Sequence, residues 1–247
     1  MNKKGQVTIF IIVGVIVVAI GITLFFVFNS NSKKPLNLEA SSVEIFVLDC
    51  IESVGKDALY VVGQNGGYYF PPKNSNSLGI AFYFFEGEDI MPSKEVIEKE
   101  IGAYLDEALP ICTEEFVKFN NFNVSQEKVQ SEVFISENKV FLNVNYPIRI
   151  TKGEDVVFLK KFKDIEIPIR LGEIYSIAKS IIQRQLTNPK EICISCVLEL
   201  EEKGFLSSIK SEEGAIIYNL FDSHSVSDNS ENILEPESYH FRFAIEI

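Results

Sequence analysis

The chain has 247 residues, a formal net charge of −12 and no tryptophan. Setting aside Lys3 and Lys4 leaves −14 on everything after the opening apolar run, a surface that repels phosphate backbones and anionic lipid heads and argues against nucleic acid as a partner. Residues 31–247 suffice for one domain with a sizeable core or for two small ones.

In chain order, Val7 to Phe28 is an uncharged run of 22 residues, long enough as a helix to cover the hydrocarbon core of a bilayer. A cleavable secretory signal has a shorter apolar stretch followed by small residues. Here the run ends in LFFVFNSNSKKP, bulky to its edge, which predicts a retained membrane anchor. Gly14 and Gly21 lie one heptad apart without the small-xxx-small spacing of a helix dimer, so a monomeric span is expected. Lys3 and Lys4 stand on one side and Lys33 and Lys34 on the other, and the positive-inside rule leans only slightly toward a cytoplasmic N-terminus. All four cysteines, Cys50, Cys112, Cys193 and Cys196, follow the run, and an even count there suits an oxidising exterior. The sequon Asn123-Val124-Ser125 makes Asn123 a candidate glycosylation site.

NSNSKKPLN reads as a linker. After it, Ser41 and Glu44 stand at capping-box spacing, and Val43, Phe46, Val47, Cys50, Ile51, Val54 and Ala58 recur at steps of three and four, predicting an amphipathic helix that ends near Gly63. GQNGGYYFPP supplies its stop; the glycines follow a helix and lack a Lys-Ser/Thr pair, which excludes a phosphate loop. LGIAFYFF, Leu78 to Phe85, reads as a buried strand, and Ser93 to Phe119 as a second helix with Val96, Ile97, Ile101, Tyr104, Leu105, Ala108 and Ile111 inward. Pro110 is expected to kink or break it. Val140 through Ile150 alternate, as do Ile165, Ile167 and Ile169, predicting half-buried antiparallel strands. Their prolines, Pro147 and Pro168, predict edge positions or ladder breaks. A third helix fits Gly172 to Leu186, and a fourth begins after Asn188 with Pro189 first and Glu191 completing the cap. GAIIYNLF and SYHFRFAIEI return to strands, with Tyr239, Phe241, Phe243, Ile245 and Ile247 on one face. The class is therefore α+β: a transmembrane helix, then antiparallel strands packed with about four helices. The organisation is a cytoplasmic N-terminus at 1–6, the span at 7–28, a linker at 29–37 and an extracytoplasmic domain at 38–247.

No stretch names a reaction. Cys193-Ile194-Ser195-Cys196 resembles a redox dithiol near a helix start, where the dipole lowers a thiol pKa. The predicted helix, however, puts Cys193 a turn inside its start, and no preceding strand and aromatic of a thioredoxin-type site is present. Disulfides, within this pair or to Cys50 and Cys112, are the expected role, and Cys196 is expected to face the core. Cys50 and Cys112, on the inner faces of two helices, are the best candidates for a long-range bridge. His224 and His240 are spaced as in no compact zinc module, and EGED at 86–89 and SDNSEN at 227–232 lack the ligand periodicity of a calcium loop. The aromatics of Tyr68 to Phe70 and Phe82 to Phe85 read as core sooner than as a ligand platform. Serine-hydrolase and dinucleotide motifs are absent, so no catalytic residue, metal or cofactor is expected.

KKGQVT directly before an apolar helix resembles the archaeal class III prepilin signal, through Lys4, Gly5 and Gln6, with Thr8 where that family prefers serine. The resemblance covers about 25 residues and implies peptidase cleavage between Gly5 and Gln6, leaving the helix as anchor. Phe10 stands where the family carries the glutamate thought to help subunits assemble, so assembly is not implied. LDCIESVGKDALYVVGQNGGYYFPP is also similar to uncharacterised membrane-anchored proteins of small-genome archaea. The expected function is a single-pass cell-surface protein with a structural or interaction role, pilin-like in its anchor. It would meet lipid through the helix and protein partners at the cell surface. The rival is a membrane-tethered thiol-disulfide oxidoreductase using Cys193 and Cys196.

Overall fold

The computed structural model describes residues 36–189, 192–222 and 238–247. The run at 7–28, Gly5 and Gln6, His224 and the stretch 227–232 lie outside the described residues. Residues Ser42–Ile247 form one compact unit, a mixed α+β arrangement of four α-helices and two sheets among the described residues.

Helix α1, Leu36–Gln64, buries Val43, Val47, Cys50, Ile51, Val54, Ala58, Leu59 and Val62, the stripe that its periodicity predicts. It begins five residues ahead of Ser41, so Ser41 is an exposed interior residue and not a cap. LNLEA contains neither glycine nor proline, and nothing there interrupts the helix. Gly66 and Gly67 end it in left-handed conformations, with the Gly67 N–H donating to the Val62 carbonyl at 2.8 Å.

The first sheet has the order β2-β1-β9-β8-β7, from β1 (Phe82–Phe85), β2 (Glu88–Asp89), β7 (Phe205–Glu212), β8 (Ala215–Asp222) and β9 (Tyr239–Glu246). All its pairings are antiparallel except β1 with β9. The strand expected from Leu78 is shorter: Asn76 Oδ1 accepts from the Leu78 and Ile80 N–H groups at 3.1 and 2.9 Å. This turn holds Gly79 at positive φ, and Leu78 is exposed. Strand β7 has no alternating pattern in sequence and forms by pairing with β8 over its whole length. Ile247, expected on the buried face of β9, lies past its end and is 64% exposed.

The second sheet centres on β5 (Val140–Lys152). Strand β6 (Asp155–Ile167) pairs along one side of it, and β3 (Asn123–Gln126) and β4 (Gln130–Ile135) pair end to end along the other. Val140, Leu142, Val144, Tyr146, Ile148 and Ile150 are all buried, as their alternation predicts. Pro147 is not on an edge strand: it lies in the central strand, where the register with β6 shifts between Asn145 and Ile148. A proline without an N–H is accommodated at such a bulge. Pro168 falls just past the end of β6.

Helix α2 (Lys94–Thr113) continues three residues past Pro110 and passes into a 3-10 turn at Glu114–Phe119. Ile97, Ile101 and Leu105 are buried as expected, but Ile111 is 66% exposed and Leu109 and Thr113 take the inner positions. Glycines allow the helices to approach closely. A Cβ on Gly55 of α1 would meet Leu142 and Ile167 of the second sheet, and one on Gly63 would lie 2.5 Å from the His240 carbonyl oxygen of the first. Helix α1 thus packs against both sheets.

Helix α3 spans Leu171–Thr187 and α4 spans Ile194–Glu202. The fourth helix therefore starts five residues later than Pro189. Asn188 caps the C-terminus of α3 instead, its N–H donating to Arg184 O at 2.9 Å, and the N-cap of α4 is Cys193.

Candidate functional site

The four cysteines form two disulfides, Cys50–Cys112 and Cys193–Cys196, and none is free. The first joins α1 to the end of α2, closing a sequence separation of 62 with the Cα atoms 6.0 Å apart. Beside its α2 end, the buried Thr113 hydroxyl lies 2.5 Å from the Tyr146 hydroxyl, which donates to Gln126 Oε1 at 2.5 Å. This network ties the helix terminus to β5 and β3.

The second disulfide has different surroundings. Its sulfur at Cys193 occupies the place of a capping oxygen: the Cys196 N–H donates to Cys193 Sγ at 3.3 Å. The sequence had placed this thiol a turn inside a helix; at the N-cap it instead meets the positive end of the α4 dipole. Cys196, one turn on, is buried at 3% exposure, and Cys193 is half-buried.

Two arginines, Arg184 on α3 and Arg170 at its N-cap, hold α4 near its start and just past its end. Arg184 Nη1 lies 3.6 Å from Cys193 Sγ and donates to Ser195 Oγ at 2.8 Å, while Nη2 reaches Glu199 Oε1 at 2.6 Å. At the other end, Arg170 Nε donates to both carboxylate oxygens of the buried Asp222 at 3.1 Å, and Nη2 to Oδ1 at 2.5 Å. The same guanidinium donates to the Lys203 and Gly204 carbonyls and lies 3.8 Å from the Phe205 ring centroid. The Asp222 bonds raise the Arg170 pKa further, against the effect of burial. Tyr218 of β8 is fully buried and stacks on Phe243 at 5.1 Å. Burial pushes its phenol pKa up, and the Cys193 backbone pulls against it. Between the last turns of α3 and the start of α4 lies a cleft of about 570 Å³, lined in part by Gln183, Arg184, Asn188, Ile192, Cys193 and Ser195.

The other sequence candidates are dispersed. Asn123 is the exposed first residue of β3, paired with Thr151. His240 sits on β9 with Nε2 3.2 Å from Ser238 Oγ and its ring edge-on to Phe221. Among the described residues no His, Cys, Asp or Glu group could hold a metal ion. Of EGED, Glu86 and Gly87 form the β1–β2 turn at positive φ, and Glu88 and Asp89 are strand β2. Tyr83 and Phe84 are core, Tyr83 stacked on Phe243 at 4.9 Å; burial drives the Tyr83 phenol pKa well above its ordinary value. Arg170, Arg184, Tyr218 and Asp222 escaped the sequence reading, because nothing local marks a residue whose partner lies in another element.

No helix among the described residues is long and apolar enough to cross a membrane. Compared with known proteins, the chain matches no family model, no curated protein and no solved structure.

Proposed function

We propose that the protein is anchored by residues 7–28 and presents residues 38–247 outside the membrane, where the domain acts by binding other proteins. The observation that carries this reading is the use of all four cysteines in disulfides, the state that thiols keep in an oxidising compartment. The length and polarity of the 7–28 run support the anchor. The resemblance of Lys4, Gly5 and Gln6 to a prepilin signal supports a processed N-terminus at Gln6. The −14 charge beyond the span directs partner choice away from nucleic acid.

The test is topology. Protease added to intact cells should digest the domain while carbonate leaves the anchor peptide in the membrane, and intact mass should begin at Gln6. Domain protected in intact cells, or full-length protein released by carbonate, would refute the reading. Capture of surface proteins by the native, membrane-extracted chain then identifies the partner.

A further inference from the structure

Two features separate Cys193–Cys196 from the bridge at Cys50–Cys112. Each bridge joins a buried cysteine to a half-buried one, and here the half-buried one, Cys193, lines the α3–α4 cleft. Several donors converge on that same sulfur, namely the Cys196 N–H at 3.3 Å, Arg184 Nη1 at 3.6 Å and the Ser195 hydroxyl within 3.5 Å. The loop that the bond closes spans three residues, so it constrains the unfolded chain far less than the 62-residue separation of the other.

We infer that Cys193–Cys196 is an exchangeable disulfide, and that Cys193 Sγ is the sulfur attacked by thiols entering the α3–α4 cleft. A thiolate RS⁻ attacks Cys193 Sγ, forming RS–Sγ and breaking the bond to Cys196, whose sulfur leaves with the electron pair and takes up a proton. A second thiolate attacks the R sulfur of this mixed disulfide. RSSR is released, and Cys193 leaves as a thiolate. Two thiols have then lost two electrons and the pair has gained them. The reverse reaction with an acceptor disulfide restores the starting state. The donors around Cys193 stabilise the charge that develops when it leaves, and Arg184 carries the only full charge among them. Glu199 opposes it by holding the other arm of the guanidinium. The exposed rim residue Ile192 gives the cleft an apolar contact beside the sulfur, which fits a thiol carried on a peptide. The inference is independent of the anchoring proposal, since it requires only the pair and its surroundings.

The experiment equilibrates the full-length protein in detergent with mixtures of reduced and oxidised glutathione, followed by acid quench, alkylation and peptide mapping. Cys193–Cys196 should open at a less reducing ratio than Cys50–Cys112. Cys196→Ala should carry glutathione on Cys193, whereas Cys193→Ala should leave Cys196 unmodified without denaturant. Arg184→Gln should shift the midpoint about three- to tenfold toward the closed form, the effect of losing a partly screened cation beside a thiolate. Arg184→Lys should shift it less. Glu199→Gln should shift it the opposite way, which a purely structural role would not produce. A reduced peptide with two cysteines, used in place of glutathione, should react faster per thiol if the cleft selects polypeptide. Opening of both disulfides at one ratio, glutathione on Cys196, or shifts of the same sign in Arg184→Gln and Glu199→Gln would overturn the inference.

Discussion

Removing the Cys50–Cys112 bridge with the double variant Cys50→Ala/Cys112→Ala isolates the largest single constraint on the domain. The sequence separation is 62, and in the chain-entropy account a loop of that size lowers the unfolded-state entropy enough to contribute about 4 kcal/mol at 25 °C. The same relation gives about 2 kcal/mol for Cys193–Cys196, separated by three residues. For a unit of this size, a loss of about 4 kcal/mol lowers the melting temperature by roughly 8–16 °C. Cys50 is also buried at 3% exposure, and alanine in its place leaves a small void that adds to the cost. The assay is thermal unfolding of the full chain in mild detergent, followed by near-ultraviolet circular dichroism, with Cys193→Ala/Cys196→Ala as the comparison. A Cys50/Cys112 variant no less stable than the Cys193/Cys196 variant would refute the argument, because loop length would then not govern the effect.

Three further perturbations test the packing. Arg170→Ala leaves the Asp222 carboxylate, 1% exposed, without the cation that grips it at both oxygens; the cost should be about 3–5 kcal/mol in urea unfolding. Arg170→Lys should recover only part of it because the fork geometry is lost, and a cost under about 1 kcal/mol would show that the clamp is not structural. Burial raises the Asp106 pKa in the folded chain, with Ser131 and Lys128 opposing it. The native state therefore binds its proton more readily than the unfolded state does, and this group's contribution is lost as pH rises through the folded value. Asp106→Asn should accordingly stabilise the domain at pH 7, with the gain fading as pH falls through the folded value and gone below about pH 4; a gain that grows on acidification would reverse the assignment. Gly63→Ala puts a Cβ 2.5 Å from the His240 carbonyl oxygen and 2.8 Å from the Tyr239 hydroxyl. The overpacking, about 1–3 kcal/mol, should outweigh the improved helix propensity of about 1 kcal/mol, and an unchanged or raised melting temperature would show that α1 is free to shift there.

The sequence by itself determined those elements whose residues repeat with a clear period. The buried stripe of α1 and the alternation of β5 were legible because burial on one side of an element imposes a period of 3.6 or 2 on its residues. The cysteine count, the −14 charge and the uncharged run at 7–28 were equally legible, being properties of composition. The inner positions of Cys50 and Cys112 led to the correct pair for the same reason. Tertiary structure decided the rest. Strand β7, Phe205–Glu212, has no period of its own and exists by pairing with β8. Pro147 reads as an edge position or a ladder break, and it was the packing that chose the second, a bulge against β6 within the central strand. Asn188, Pro189 and Glu191 spell a helix start, yet Asn188 closes α3 and the start falls at Cys193. That shift of five residues changes the chemistry of the CxxC pair, because it sets one sulfur at the positive end of a helix and leaves the other buried. The guanidinium beside that sulfur comes from Arg184, on a different helix. Local propensity carries no record of such a neighbour: the meeting of Arg184 with Cys193 depends on how α3 and α4 pack, which is set by the apolar faces of both and not by either charged residue.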